Sequence, residues 1–191
     1  MNKQRLEAFS DGVIAILITI MVLELHTPRG ADLQAVRAMV PTLLSYLLSF
    51  VFLGIYWNNH HHLLQATHRI AGTVLWANLH LLFWLSLVPV TTNWLGANYR
   101  APVPTAAYGV VLLLSAIAFT ILQRTIRAVE GKGSTLDRAV NRDIKGKASL
   151  ALYVAAVVLA FVEPWLADAL YTIVALIWLV PDPRIERALQ R

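Results

Sequence analysis

The sequence has no cysteine among its 191 residues. Disulfides, thiolate metal sites and cysteine nucleophiles are therefore excluded, while the redox compartment stays unread. Charge is scarce too. Asp, Glu, Lys and Arg make up 14% of the chain, against about 25% in an average soluble domain. A soluble protein needs a charged surface, so this shortfall says more than the 58% of hydrophobic residues. Reaction chemistry is missing as well. No Walker, GxSxG or HExxH motif occurs, no catalytic residue stands out, and no enzyme is expected. There is no TVGYG-like filter. Arg124 and Arg127 are too few for a voltage-sensor ladder. Neither an internal repeat nor inverted transporter halves are evident.

What remains is apolar length. A bilayer core about 30 Å thick takes about 20 apolar residues per helix, and the chain supplies that length several times. The expected fold class is all-α: a polytopic helical bundle forming one transmembrane domain over residues 1–191. Six spans are predicted at about 8–25, 36–57, 73–95, 105–126, 148–162 and 165–180, with a basic loop over 127–147. The last two are short and close together, so a tilted or re-entrant hairpin, or five spans in all, is the alternative. Lys3 and Arg5 before an apolar run resemble a signal peptide. Asp11 interrupts that run and no small-x-small site follows, so the first helix is expected to stay in the mature chain.

The formal net charge of +5 invites a nucleic-acid reading, but topology accounts for it better. Lys and Arg concentrate on the cytoplasmic side of membrane proteins. With the N-terminus inside and six spans, thirteen basic residues fall on inner segments. Only Arg29, Arg37 and Arg100 fall outside. A multi-pass protein of the cell membrane with both termini cytoplasmic is expected, with membrane lipids and no nucleic acid as partners. The basic loop would also touch anionic lipid heads.

Span one is the unusual helix. Asp11 sits in it, and an ionised side chain at depth needs a partner or water. Arg5, six residues away, is awkwardly placed along one helix. A partner on another span, or backbone capping, serves as well. The bland role is an interfacial lock for helix packing, and the sharper one is part of a functional site. On a helical wheel Ile16, Thr19 and Leu23 fall within about 60° of each other, with Arg5 and Gly12 on the same side and Asp11 off it. In a symmetric oligomer such stripes could meet on an axis, with apolar rings gating by dewetting and Thr19 supplying oxygens to an ion. Equally, they could pack against neighbouring helices, and spacing alone favours that plainer role.

Trp57-Asn58-Asn59-His60-His61-His62 is the second cluster. Consecutive helical residues diverge by about 100°, and i,i+4 ligand spacing fails, so no metal site is expected. A polar cap is the default, with pH sensing open to imidazoles. His60, and Asn78 in span three, are candidates for a polar network between helices.

Residues 5–11 read Arg-x-x-x-Phe-Ser-Asp, followed by Gly-Val and an apolar helix ending Val-Leu-Glu-Leu. This resembles the first helix of prokaryotic relatives of the lysosomal TMEM-type potassium channel, a family without a P-loop filter. Tyr56-Trp57 with His60–His62, and Asn78 through Pro89 and Thr91, continue the resemblance over three spans. It implies a homotetramer of six-helix subunits whose first helices line a pore preferring potassium over sodium. No cofactor is implied beyond the permeant potassium ion, and monovalent cations are the partners. By position, Ile16 corresponds to a hydrophobic constriction, Thr19 to a hydroxyl layer tied to selectivity and Leu23 to a further apolar ring. Arg5, Phe9, Ser10 and Asp11 correspond to the motif holding the helix's inner end. The rival is a secondary or proton-coupled transporter using Asp11 and the His60–His62 region.

Overall fold

The computed structural model describes residues 2–28, 30–131 and 144–179. Most of the expected basic loop, the end of the sixth span and Arg29 lie outside them. The described residues form helices and no strands.

Helix α1 spans Lys3–Leu23, opened by the Asn2 side chain accepting from the Gln4 backbone N–H at 3.2 Å. Helix α2 spans Leu33–Gln65 and opens in the same way, with Asp32 accepting from the Ala35 N–H at 2.8 Å. Such caps satisfy N–H groups that have no partner within the helix. At 33 residues, α2 is about 50 Å long. It runs past the expected end at Trp57 and carries His60–His62 on its last turns.

The third apolar run divides. Helix α3 covers Gly72–Ser86 and α4 covers Val88–Ala97, with Leu87 between them. Pro89 explains the break, since its ring opposes the Leu85 carbonyl and it has no N–H to donate. Helix α5 spans Pro102–Glu130, with a proline in its first turn where the missing N–H costs nothing. It ends at Gly131, whose φ of 91° suits glycine. Helices α6 (Ile144–Leu159) and α7 (Pro164–Leu179) follow as a tight hairpin.

Taking α3 and α4 together, four segments among the described residues are long and apolar enough to cross a membrane: Lys3–Leu23, Leu33–Gln65, Gly72–Ala97 and Pro102–Glu130. The hairpin helices have 16 residues each, about 24 Å apiece, shorter than the hydrocarbon core.

Helix α5 is the hub, touching α3, α4, α6 and α7, while α1 packs on α2, α3 and α4. One apolar core joins α1 to α2, α3 and α5 through Ile14, Leu17, Leu53, Leu81 and Leu122. The other joins α2, α5 and the hairpin around Phe52, Tyr108, Tyr153 and Tyr171. Between them Ser49 on α2 bonds the Thr92 hydroxyl on α4 at 2.7 Å and the Tyr108 hydroxyl on α5 at 2.9 Å. These bonds lock three helices together where lipid offers no competing water.

A candidate pore-lining helix and its polar anchor

Helix α1 has two unlike faces. Leu6, Ser10, Ile14, Leu17 and Met21 are buried against the rest of the chain. Their spacing of three and four residues is one helical stripe. Roughly opposite on the wheel, Ile16 is 59% exposed and Leu23 77% exposed, with Thr19, Arg5 and Gly12 also exposed. The structure thus gathers the Ile16–Thr19–Leu23 stripe on one uncovered surface of the subunit. The Thr19 hydroxyl donates to the Ala15 carbonyl at 2.9 Å. Its proton is thereby committed to the helix, and its oxygen keeps lone pairs for a cation or water.

The buried face is anchored by polar bonds. The Asn78 side-chain NH₂ on α3 donates to Ser10 Oγ at 2.9 Å, and Ser10 Oγ donates to the Leu6 carbonyl at 2.9 Å. Asn78 Oδ1 lies 2.7 Å from His60 Nε2, the nitrogen that then carries the proton. His60 is 1% exposed, and its Nδ1 has no partner. Three helices therefore meet at a relay of Ser10, Asn78 and His60. One residue on, about 100° round α1, Asp11 Oδ1 accepts from the Trp57 indole N–H at 3.0 Å, and Trp57 stacks on His61.

More bonds close the same end of the bundle. Lys3 donates to the Gln65 carbonyl at 3.0 Å. Glu130, at the foot of α5, accepts from the backbone N–H groups of His68 and Arg69 at 2.7 and 2.8 Å. The start of α1, the end of α2 and the end of α5 are thus tied to one layer.

Of the four motif residues, Ser10 and Asp11 bond to other helices, while Arg5 and Phe9 stay on the exposed surface and join neither anchor. His60 and Asn78 meet as expected of a network. Trp57 is the participant that sequence reasoning missed, because its place near a span end suits an interfacial aromatic. A usable signal lay in its spacing, since Trp57 and His60 are three apart and share a face of α2. No group of three or more His, Asp or Glu able to hold a metal occurs among the described residues; the His61 and His62 rings meet edge-on at 5.6 Å, while His60 turns to Asn78.

Comparison with known proteins bears on this arrangement. Residues 5–89 match the family model described as "Endosomal/lysosomal potassium channel TMEM175". A potassium channel of Chryseobacterium sp. is 50% identical over 190 residues, covering 100% of this chain and 99% of that one. A potassium channel of Streptomyces collinus is 35% identical over 131 residues, covering 64% of each chain. The crystal structure of a lysosomal potassium-selective channel TMEM175 homolog from Chamaesiphon minutus superposes with a TM-score of 0.81 at 26% identity, covering 93% of this chain and 96% of that one. These relatives are channels rather than enzymes, and the helices described above make this a multi-pass membrane protein. With a relative half identical along almost its entire length, the chain belongs to the TMEM175 family.

Proposed function

We propose that the chain forms a homotetrameric, potassium-preferring leak channel in the cell membrane, with both termini cytoplasmic and α1 lining the axial pore. One observation carries the reading: the stripe of Ile16, Thr19 and Leu23 is left uncovered by its own subunit while the opposite face of α1 is anchored. Four such stripes facing an axis stack apolar rings at Ile16 and Leu23 around an oxygen layer at Thr19. The apolar rings gate by controlling whether water enters. At Thr19 an ion exchanges part of its hydration shell for hydroxyl oxygens. Potassium sheds water at lower cost than the smaller sodium ion, so partial stripping favours potassium. The potassium-channel names of the relatives support the same cargo.

Purified protein reconstituted in liposomes tests the reading, with potassium, sodium and proton fluxes compared under an imposed gradient. Non-saturating potassium flux exceeding sodium flux is expected. Saturable, pH-coupled flux at low turnover would instead favour the carrier built on Asp11 and the histidines. The lack of native cysteine lets Thr19→Cys report on the pore cleanly. A thiol-reactive cation should block its flux and leave a Val158→Cys control on α6 unaffected.

A further inference from the structure

A groove of about 550 Å³ runs between α2, α4 and α7, inside the size range of ligand sites. Leu44, Leu47 and Leu176 line it and are each more than half exposed, so it opens on its flank. Its two long walls run the same way. Tyr171 of α7 packs edge-on against Tyr108, which bonds Ser49 of α2, while further along Trp178 borders the same small space as Ile55 and Asn59. Asp168 therefore lies toward the start of both helices. The end of α4 closes in at that level, with Gly96 against Thr42 and Tyr99 lining the groove. From Asp168 to Leu179 the α7 wall is about 16 Å long.

Asp168 is the one charged side chain in this lining among the described residues. Its Oδ1 is buried and accepts no hydrogen bond from any of them. The hydroxyls beside it are already committed. Ser45 donates to the Pro41 carbonyl at 3.0 Å, and Thr172 donates to the Asp168 backbone carbonyl at 2.8 Å. Arg100, next to Tyr99 in the chain, lies over the Tyr99 ring at 5.3 Å and forms no ion pair with Asp168. A buried carboxylate oxygen needs a hydrogen-bond donor, and an ionised one in a membrane also needs positive charge. The fold supplies neither here.

We infer that this groove holds a membrane lipid whose head carries a primary ammonium group, with the ammonium on Asp168 and one acyl chain along Leu48, Val51, Leu176 and Leu179. Each part of the occupant matches a part of the groove. The hydrocarbon chain covers the apolar walls, and the positive charge balances Asp168. The ammonium N–H groups supply the donor that the buried Oδ1 lacks. A quaternary head such as choline carries the charge but has no N–H to give. Asp168 is also only about 6 Å inside the start of α7, near the helix end where lipid heads lie. The inference needs the chain to be in a membrane and holds whether or not it conducts.

The full-length protein in detergent is incubated with equal amounts of phosphatidylethanolamine and phosphatidylcholine bearing the same acyl chains, and bound lipid is counted by native mass spectrometry. The ethanolamine lipid should be retained about tenfold more strongly, the worth of one hydrogen bond to a charged group. Asp168→Asn should abolish that preference. Glu163→Gln, at an exposed acid outside the groove, should keep it. Leu44→Trp, at an exposed position of the wall, should lower retention of both lipids. Asp168→Asn preserves the size of the side chain, so it decides the matter even if Leu44→Trp does not fold. Equal retention of the two lipids, or a preference that survives Asp168→Asn, would overturn the inference. So would a protein that holds no lipid and loses its oligomer on Asp168→Asn, which would give the groove to a second copy of the chain.

Discussion

Helices α1 and α5 are both long and apolar, yet the chain treats them differently. In their most hydrophobic windows 28% of α1 is buried, against 56% of α5. Helix α5 is enclosed by four neighbours and buries several polar residues in the interior, with Ser115 bonding the Val111 carbonyl and Tyr108 bonding Ser49. Helix α1 spends its polar contacts on one side, through Ser10 and Asp11, and leaves a hydroxyl, Thr19, on the other. An uncovered face is not peculiar to α1, since α2 is only 22% buried in its own window. On the channel reading proposed above, the open front of α1 is the side that faces the pore.

Four substitutions probe that contrast, from the largest effect to the smallest on stability. Gly109→Ala on α5 should be the most damaging. Its new methyl would collide with the buried Tyr171 hydroxyl and come within 2.9 Å of Val157 Cγ2. Tyr171 cannot yield easily, since it is fully buried, bonds the Thr105 carbonyl and packs edge-on against Tyr108. Overpacking of this kind costs about 1–3 kcal/mol, visible as a lower apparent melting temperature in detergent. An unchanged melting temperature would mean the α5–α7 contact is looser than drawn.

Asn78→Leu attacks the back of α1. It removes the partner of both Ser10 and His60 and leaves the His60 ring with no partner at either nitrogen. Interhelical bonds in membranes average about 0.6 kcal/mol, while orphaning a buried polar group costs about 1–3 kcal/mol. The second effect dominates here, so a loss of about 2 kcal/mol is expected. If thermal stability is retained, the relay does not hold α1.

The open face should respond in the opposite way. Ile16→Asn is expected to alter stability by less than about 0.5 kcal/mol, as at an ordinary surface position, but to raise potassium flux several-fold by keeping the constriction wet. Flux that stays at the parental level would remove Ile16 from the gate. Thr19→Ala should disturb folding least, because its hydroxyl bonds only its own helix. It should reduce discrimination between potassium and sodium in the liposome assay, and intact discrimination would move the selective layer elsewhere.

Much of this was legible beforehand. Low charge and repeated apolar runs indicated a helical membrane bundle, and the wheel alone grouped Ile16, Thr19 and Leu23. His60 and Asn78 were recognisable as polar groups needing partners. Other features were out of reach. The run 73–95 reads as one continuous span, although Pro89 breaks it after Ser86. Hydropathy averages over a proline that removes a single bond. Trp57 was invisible as the partner of Asp11 because the two are 46 residues apart. Local periodicity carries no information across such a distance. Likewise, nothing in three adjacent histidines told that only His60 would turn toward Asn78.

By itself the sequence determined that this protein lives in a membrane as helices, and which side chains of α1 lie together on one stripe. Both follow from local physics: the cost of bare backbone in lipid and the 100° step between successive helical residues. Only the tertiary structure decided which stripe of α1 is anchored and which is left open. A helix's periodicity sets the angles between its own residues, whereas its rotation about its axis is chosen by bonds from other helices, here those of Asn78 and Trp57.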